Sequence, residues 1–307
     1  MRQLSRRKFV ALTATGIAAA SLARALGGKV TAQEVFDRIK KNIGVDWTTD
    51  TVDTFKAGDP STVVSGIATT SLATLAVLDR AVKGAVNLIV TSEPTFFSHA
   101  DTPTPPARRG FGRPNAAASA QPETPPPPDP VFQGKDEFIR KHNLVVLRLS
   151  DHWQLRKPDG FAQGLADSLG WPKADDSRAA IAETSLHGLV AHVKKSLNAR
   201  GGMRIVGKPE QRIRKIGFLP GSTPIQASIA MLPEVDTIIA GEVREWETVE
   251  YVRDTVALGG KKSLILVGRV VSEDPGMKLC AQWLKTICPE VASTWVSAGD
   301  PYWRPTA

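Results

Sequence analysis

The chain has only two cysteines and two tyrosines among its 307 residues, and aromatic residues make up 6% of it. So few cysteines exclude a small scaffold that depends on many disulfides. Cys280 and Cys288 stand eight positions apart on one predicted helix, which would separate them by about 12 Å. A disulfide cannot span that distance, so we expect two packed or free thiols.

Long apolar runs and a strong charge imbalance are also missing from residues 33–307. The absence of such runs argues against a membrane span there. The whole chain has a net charge of +8, but residues 1–32 contain six basic and no acidic residues. The remainder carries 33 basic and 31 acidic residues, so we expect no nucleic-acid partner. With 42% hydrophobic residues, the chain suits one large α/β domain or two smaller ones.

The first 32 residues have the three parts of an export signal. The basic segment Ser5-Arg6-Arg7-Lys8-Phe9 is followed by an apolar, Ala-rich run and by the small-residue exit Val30-Thr31-Ala32. Adjacent arginines before Phe9 resemble a twin-arginine signal. We therefore predict export by that route, cleavage near Ala32, and a periplasmic or other extracytoplasmic location. A basic N-terminal helix is the alternative interpretation.

Apolar periodicity predicts alternating strands and helices along the rest of the chain. Strands are predicted near residues 62–70, 86–90, 144–149, 203–207, 213–219, 237–240 and 263–267. Helices are predicted at residues 33–42, 71–83, 135–142, 161–169, 185–197, 225–231 and 246–257, and a last one follows Glu273 and ends near Ile287. This alternation indicates an α/β fold with two lobes of mixed, largely parallel sheets covered by helices.

A proline-rich segment interrupts this pattern. Residues 102–130 contain ten of the 22 prolines and have no apolar periodicity, so we predict a disordered insertion over residues 102–131. The α/β domain then comprises residues 33–101 and 132–307.

Acidic residues follow four of the predicted strands. They are Glu93, Asp151, Glu242 and Glu273, and His99 and His152 lie near two of them. Ligands of open α/β sheets bind beyond the carboxyl ends of the strands, and acids that converge there repel unless a cation or protons lie between them. A divalent metal held by carboxylates and imidazole explains this pattern. The alternative is that each acid caps a helix or faces water.

The motifs AGDP, VTSEP, RLSDHW, IIAGE and GRVVSE, in this order, resemble the Nif-three-like dinuclear metal centre family, also called the NGG-interacting-factor family. The resemblance covers about residues 33–289, apart from the proline-rich segment. It implies that Ser92 and Glu93 stand at two histidine positions of the family. It also implies that Glu273 matches a bridging carboxylate and that Arg269 replaces a histidine ligand.

The resemblance implies one or two divalent ions per chain (Fe, Mn, Mg or Zn). Our leading version is one ion bound by Glu93, Asp151 or His152, and Glu273, with His99 as an additional candidate ligand. Because arginine cannot ligate a metal, an Arg269–Glu273 ion pair in place of the ion is a competing interpretation.

The function implied is metal-dependent hydrolysis of a small phosphorylated or heterocyclic molecule by metal-activated water. Glu242 would then be a general base, and Arg269 would bind an anionic group of the substrate. The alternative is a non-catalytic protein that binds a ligand or partner at a degenerate metal site. The family also suggests a ring-shaped homo-oligomer, a hexamer.

A further candidate site lies in the turn that contains Gly221 and Ser222, between a predicted strand and a predicted helix. Exposed backbone N–H groups there would bind an anion. An ordinary turn is the alternative.

Overall fold

The structure, a computed structural model, describes residues 29–99, 101, 129–171, 177–199 and 202–303. Most of the predicted export signal and nearly all of the predicted proline-rich insertion lie outside the described residues. Export and the extracytoplasmic location therefore stay predictions from the sequence.

The strands form two five-stranded sheets. In chain order, the strands of the described residues are β1 (Phe55–Ala57), β2 (Ile67–Thr70), β3 (Leu88–Thr91), β4 (Val145–Arg148), β5 (Arg178–Ser185), β6 (Arg204–Val206), β7 (Arg212–Ser222), β8 (Thr237–Glu242), β9 (Ser263–Leu266) and β10 (Ser293–Trp295). The first sheet has the order β1-β4-β3-β2-β10 and the second β5-β7-β8-β9-β6. The central strands are parallel, whereas β1, β5 and β6 pair antiparallel at sheet edges.

Helices cover the sheets. They are α1 (Ala32–Asn42), α2 (Leu75–Lys83), α3 (Pro130–Lys141), α4 (Asp151–Leu155), α5 (Gly160–Ser168), α6 (Leu186–Ser196), α7 (Ile225–Met231), α8 (Glu250–Ala257) and α9 (Arg269–Ile287), with a 3-10 turn at Leu232–Glu234 and a π-helical turn at Glu245–Val249. The prediction of an α/β fold with mixed sheets covered by helices is confirmed.

Helix α1 begins at a capping box. The Thr31 hydroxyl accepts the N–H of Glu34, and the Glu34 carboxylate accepts the N–H of Thr31. Val30 is buried in the core of the first lobe, and its carbonyl accepts the N–H of Val64. Residues 30–32 therefore belong to the folded first lobe, just before the domain start predicted at residue 33. A signal cleaved after Ala32 would remove the cap of α1.

Helix α9 joins the two lobes. Its residues Met277 and Leu284 lie in the core of the first lobe, and its N-terminal half packs on α5, β7 and β8. Strand β10 follows α9 and pairs with β2, so the end of the chain completes the first sheet. The helix begins at Arg269 and not after Glu273 as predicted, so Arg269 and Glu273 are one turn apart on the same helix.

Cys280 and Cys288 are both free and buried, as expected. Burial raises the pKa of the Cys280 thiol far above its ordinary value. Both cysteines therefore act as packing residues. Among the residues described, none of the helices combines the length and apolar character that crossing a bilayer requires.

Candidate functional site

The carboxyl ends of both sheets border one cleft of about 690 Å³. Seven of the nine predicted site residues line it: Glu93, His99, Asp151, Gly221, Ser222, Arg269 and Glu273. The first lobe contributes the segments after β3 and β4, and the second contributes the end of β7 and the first turns of α9. Apolar side chains, including Phe97, Phe161 and Leu219, form further parts of the wall.

A guanidinium and two carboxyl groups meet at the base of this cleft. Arg269 binds Glu93 Oε1 through Nε at 3.0 Å and Nη2 at 2.5 Å. The Glu93 side chain is 9% exposed and the Arg269 side chain is 35% exposed. The pair therefore joins the end of β3 to the start of α9. The sequence interpretation paired Arg269 with Glu273, and this was wrong about the partner.

Glu273 is buried beside this ion pair. Burial raises the pKa of Glu273 well above its ordinary value, and the adjacent Glu93 charge and a hydrogen bond to Glu93 raise it further. Arg269 and a 3.3 Å hydrogen bond from Ser92 Oγ act in the opposite direction. The carboxyl group of Glu273 is thus harder to ionise than that of an ordinary glutamate.

The Arg269 guanidinium stays charged in this setting. Burial by itself would lower its pKa, but Glu93, with smaller contributions from Glu273 and Glu242, outweighs burial and raises it. The guanidinium therefore supplies, beside the two acids, the positive charge that the sequence analysis assigned to a metal ion.

This set of donors does not fit the divalent ion that the resemblance implies. Arginine has N–H donors and no lone pair to offer a metal, and burial makes the carboxyl group of Glu273 harder to ionise. Both Nε and Nη2 of Arg269 already bind Glu93 Oε1. Within the described ranges, no group of three or more His, Cys, Asp or Glu side chains is arranged to hold a metal ion.

Asp151 lines the cleft, and its carboxylate is hydrogen-bonded to the segment before β1. Its Oδ2 accepts the Thr51 hydroxyl at 2.8 Å and the Val52 N–H at 3.1 Å. It begins α4 directly after β4, as the rule on strand ends predicts.

His152 is not available as a ligand, which contradicts the prediction. It is completely buried, and its ring stacks on Trp47 with centroids 3.7 Å apart. Its Nε2 accepts the Thr48 N–H at 3.1 Å, and Nδ1 lies 2.8 Å from Asp53 Oδ2. Because an N–H points at Nε2, the proton of the neutral ring is on Nδ1 and is donated to Asp53. Both ring nitrogens therefore have protein partners.

Sequence reasoning missed two buried charged residues that shape the cleft. Asp53 accepts the backbone N–H groups of Ser150, Asp151 and His152 and so caps α4. Arg148, whose side chain is 4% exposed, donates to the carbonyls of Ser92 and His99. An arginine inside an apolar strand is a signal that was available for Arg148. Nothing near Asp53 in the sequence indicated its partners, which are almost 100 positions away.

His99 is exposed where it lines the cleft. Its backbone carbonyl accepts Arg148 Nη1 at 2.9 Å, so the position of His99 depends on a buried side chain of β4. Its predicted role as an additional metal ligand stays a prediction.

Gly221 does not offer its N–H to an anion, contrary to the prediction. That N–H donates to Ser272 Oγ at 3.0 Å. The φ angle of Gly221 is +75°, and a Cβ there would lie 2.5 Å from Glu273 Oε1, so glycine is required for close packing against Glu273. Ser222 lines the cleft and is exposed, but the backbone does not form an anion-binding turn at Gly221.

Glu242 lies outside the cleft that was expected to contain it. It lines a neighbouring cavity of about 400 Å³ together with Arg244 and Glu247. The turn at residues 222–224 borders both cavities. The predicted general base therefore does not face the cleft, although its charge contributes to the raised pKa of Arg269.

Comparison with known proteins gives a family match over part of the chain and a fold. Residues 156–299 match the family model described as Duf34/NIF3 (NGG1p interacting factor 3). No curated protein gives a significant match.

Several solved structures are similar. The Staphylococcus aureus protein SA1388 has 15% identity and a TM-score of 0.66, with 91% of this chain and 100% of that chain covered. A Bacillus cereus protein related to NIF3 has 12% identity, a TM-score of 0.66 and the same coverage. Reduced HcgD from Methanocaldococcus jannaschii has 14% identity and a TM-score of 0.56, with 84% and 94% covered. Residues 156–299 thus match the Duf34/NIF3 family, and the likeness to these solved structures shows that the chain shares their fold.

Proposed function

We propose that the cleft binds a small organic molecule with an anionic group, and that Arg269 takes the place of the metal that the resemblance implies. The observation that carries this proposal is that Glu93 binds only one edge of the Arg269 guanidinium, that of Nε and Nη2. A guanidinium has five N–H donors, and Glu93 Oε1 engages those of Nε and Nη2. The side chain is 35% exposed and lines the cleft, so further donors are open to a carboxylate or phosphate.

The size and walls of the cleft suit such a ligand. Small-molecule sites have volumes of about 300–1,000 Å³ and combine apolar walls with a few polar groups, and the cleft has a volume of about 690 Å³. Phe97, Phe161 and Leu219 offer apolar surface for the body of the ligand. This is the non-catalytic, ligand-binding alternative among the functions considered from the sequence.

Arg269→Met tests the anionic contact. The variant keeps an unbranched side chain but removes the charge, so we expect anionic ligands to bind about tenfold or more weakly, since hydrogen bonds to charged groups contribute about 1.5–3 kcal/mol. Ligands are first found by thermal-shift screening of phosphorylated and carboxylated metabolites, and their affinities are then measured by calorimetry. Arg140→Met removes an exposed arginine of α3 and is the matched control. Equal affinity of the wild type and Arg269→Met contradicts the proposal.

Metal analysis separates this proposal from metal-dependent hydrolysis. Because the guanidinium of Arg269 already binds Glu93 and cannot ligate a metal, protein purified without chelator should contain far less than one equivalent of Fe, Mn, Mg or Zn. The measurement is inductively coupled plasma mass spectrometry. A stoichiometric ion that disappears in Glu93→Gln and Glu273→Gln, but remains in the exposed control Glu137→Gln, would favour the hydrolase instead.

The ring-shaped homo-oligomer stays a prediction from the family. No step of the ligand-binding proposal depends on it, because both walls of the cleft come from one chain.

A further inference from the structure

A second groove, of about 330 Å³, lies between the turn that joins α4 to α5 and the second half of α9. It shares no lining residue with the cleft. Pro158, Leu279 and Trp283 form its apolar wall, and Arg156 is the one charged side chain among the described residues that line it. The groove is thus mainly apolar with a single cation.

Arg156 lacks the usual partners of a half-buried arginine. Its guanidinium lies 4.4 Å from the ring centroid of Trp153 and 5.8 Å from that of Trp283. Within the described part of the chain it forms no ion pair, and its buried Nε has no hydrogen-bond partner. Burial lowers the pKa of Arg156, and Asp159 acts in the opposite direction. Cation–π contacts attract the charge but do not satisfy the N–H donors.

An anionic group would supply the opposite charge and the hydrogen-bond acceptor that Arg156 lacks. Removing a guanidinium from water is unfavourable unless an acceptor and an opposite charge compensate it. A single guanidinium matches the geometry and charge of one carboxylate. A dianion would carry a larger desolvation cost into the same apolar groove, with no second cation to offset it.

We propose that this groove is a second binding site, for an amphipathic carboxylate. Its carboxylate pairs with Arg156, and its apolar body packs against Pro158, Leu279 and Trp283. This site is independent of the ligand proposed for the cleft, because the residues of the two sites do not overlap.

Calorimetric titration with decanoate and with decanol tests the proposal. We expect one equivalent of decanoate to bind to the wild type. In Arg156→Met, which keeps the apolar stem, decanoate should bind about tenfold or more weakly. Decanol should bind weakly to both proteins and should not depend on Arg156.

A second variant keeps the test informative if Arg156→Met does not fold. Gln282 is exposed at the groove, and Gln282→Glu adds a charge that repels the carboxylate and competes for Arg156, so decanoate binding should again weaken. Arg140→Met should bind decanoate as the wild type does.

Three results would overturn the proposal. They are the absence of decanoate binding, equal binding in the wild type and Gln282→Glu, and binding that is lost in Arg269→Met but kept in Gln282→Glu. The last result would assign decanoate to the cleft.

Discussion

Asp53→Ala should lower the free energy of unfolding by about 4 kcal/mol, near the middle of the range for breaking a buried charge interaction. The Asp53 carboxylate is completely buried and accepts three consecutive backbone N–H groups, those of Ser150, Asp151 and His152. It also accepts the ring N–H of His152 at 2.8 Å. Alanine leaves four donors without this acceptor, two of them buried and two part-buried, and each unsatisfied buried donor is costly.

Urea denaturation followed by circular dichroism measures this effect. Asp59→Ala is the matched control, because Asp59 also accepts a backbone N–H, that of Ser61, in a loop at the surface. We expect the control to change stability only slightly. Asp53→Asn, which keeps one oxygen acceptor, should fall between the wild type and Asp53→Ala. An Asp53→Ala protein as stable as the control would show that the network does not hold α4 in place.

The two acids of the cleft should respond in opposite ways to the same substitution. Glu93→Gln removes the carboxylate that compensates Arg269, and we expect a loss of about 2 kcal/mol. This is below the usual cost of breaking a buried pair, because the Arg269 side chain is 35% exposed and partly screened. Glu273→Gln should leave stability at neutral pH unchanged or higher. A glutamine amide donates to Glu93 without having to take up a proton.

The pH dependence gives an independent measurement of the same pair. As the pH rises above the ordinary Glu value of 4.5, Glu273 ionises in the unfolded chain but keeps its proton in the folded one. The folded state then binds more protons, so the contribution of Glu273 to stability falls with rising pH. Stability should therefore decrease less from pH 5 to pH 8 in Glu273→Gln than in the wild type.

Urea denaturation at these two pH values is the test. If Glu273→Gln is less stable than Glu93→Gln at pH 8, or if both variants keep the wild-type pH dependence, the raised pKa of Glu273 is wrong.

The strands of the sheet interiors could be predicted because their sequences are mainly apolar. Residues of β3, β4 and β9 are buried without exception, and such runs are recognisable without knowledge of their neighbours. Strands β1, β5 and β10 were not predicted. The first and last contain three residues each, and β5 has several exposed positions. These three strands depend on partners that are distant in the sequence, as when Ser293 pairs with Ile67.

The candidate site was predicted in position but not in chemistry. Glu93, Asp151 and Glu273 line one cleft, because parallel strands direct their carboxyl ends to the same edge of a sheet. The burial and the hydrogen-bond partners of each side chain could not be predicted from its position after a strand. His152 stands beside Asp151 in the sequence, but its side chain is buried between Trp47 and the Asp53 carboxylate.

The sequence by itself determined the α/β class, the family resemblance and the edge at which the acids collect, because apolar periodicity and strand ends are local properties. The tertiary structure decided which acid pairs with Arg269. Arg269 meets Glu93 across 176 positions, and burial beside that contact raises the pKa of Glu273. Pairing and protonation depend on distance and desolvation, and these exist only once the two lobes are folded together.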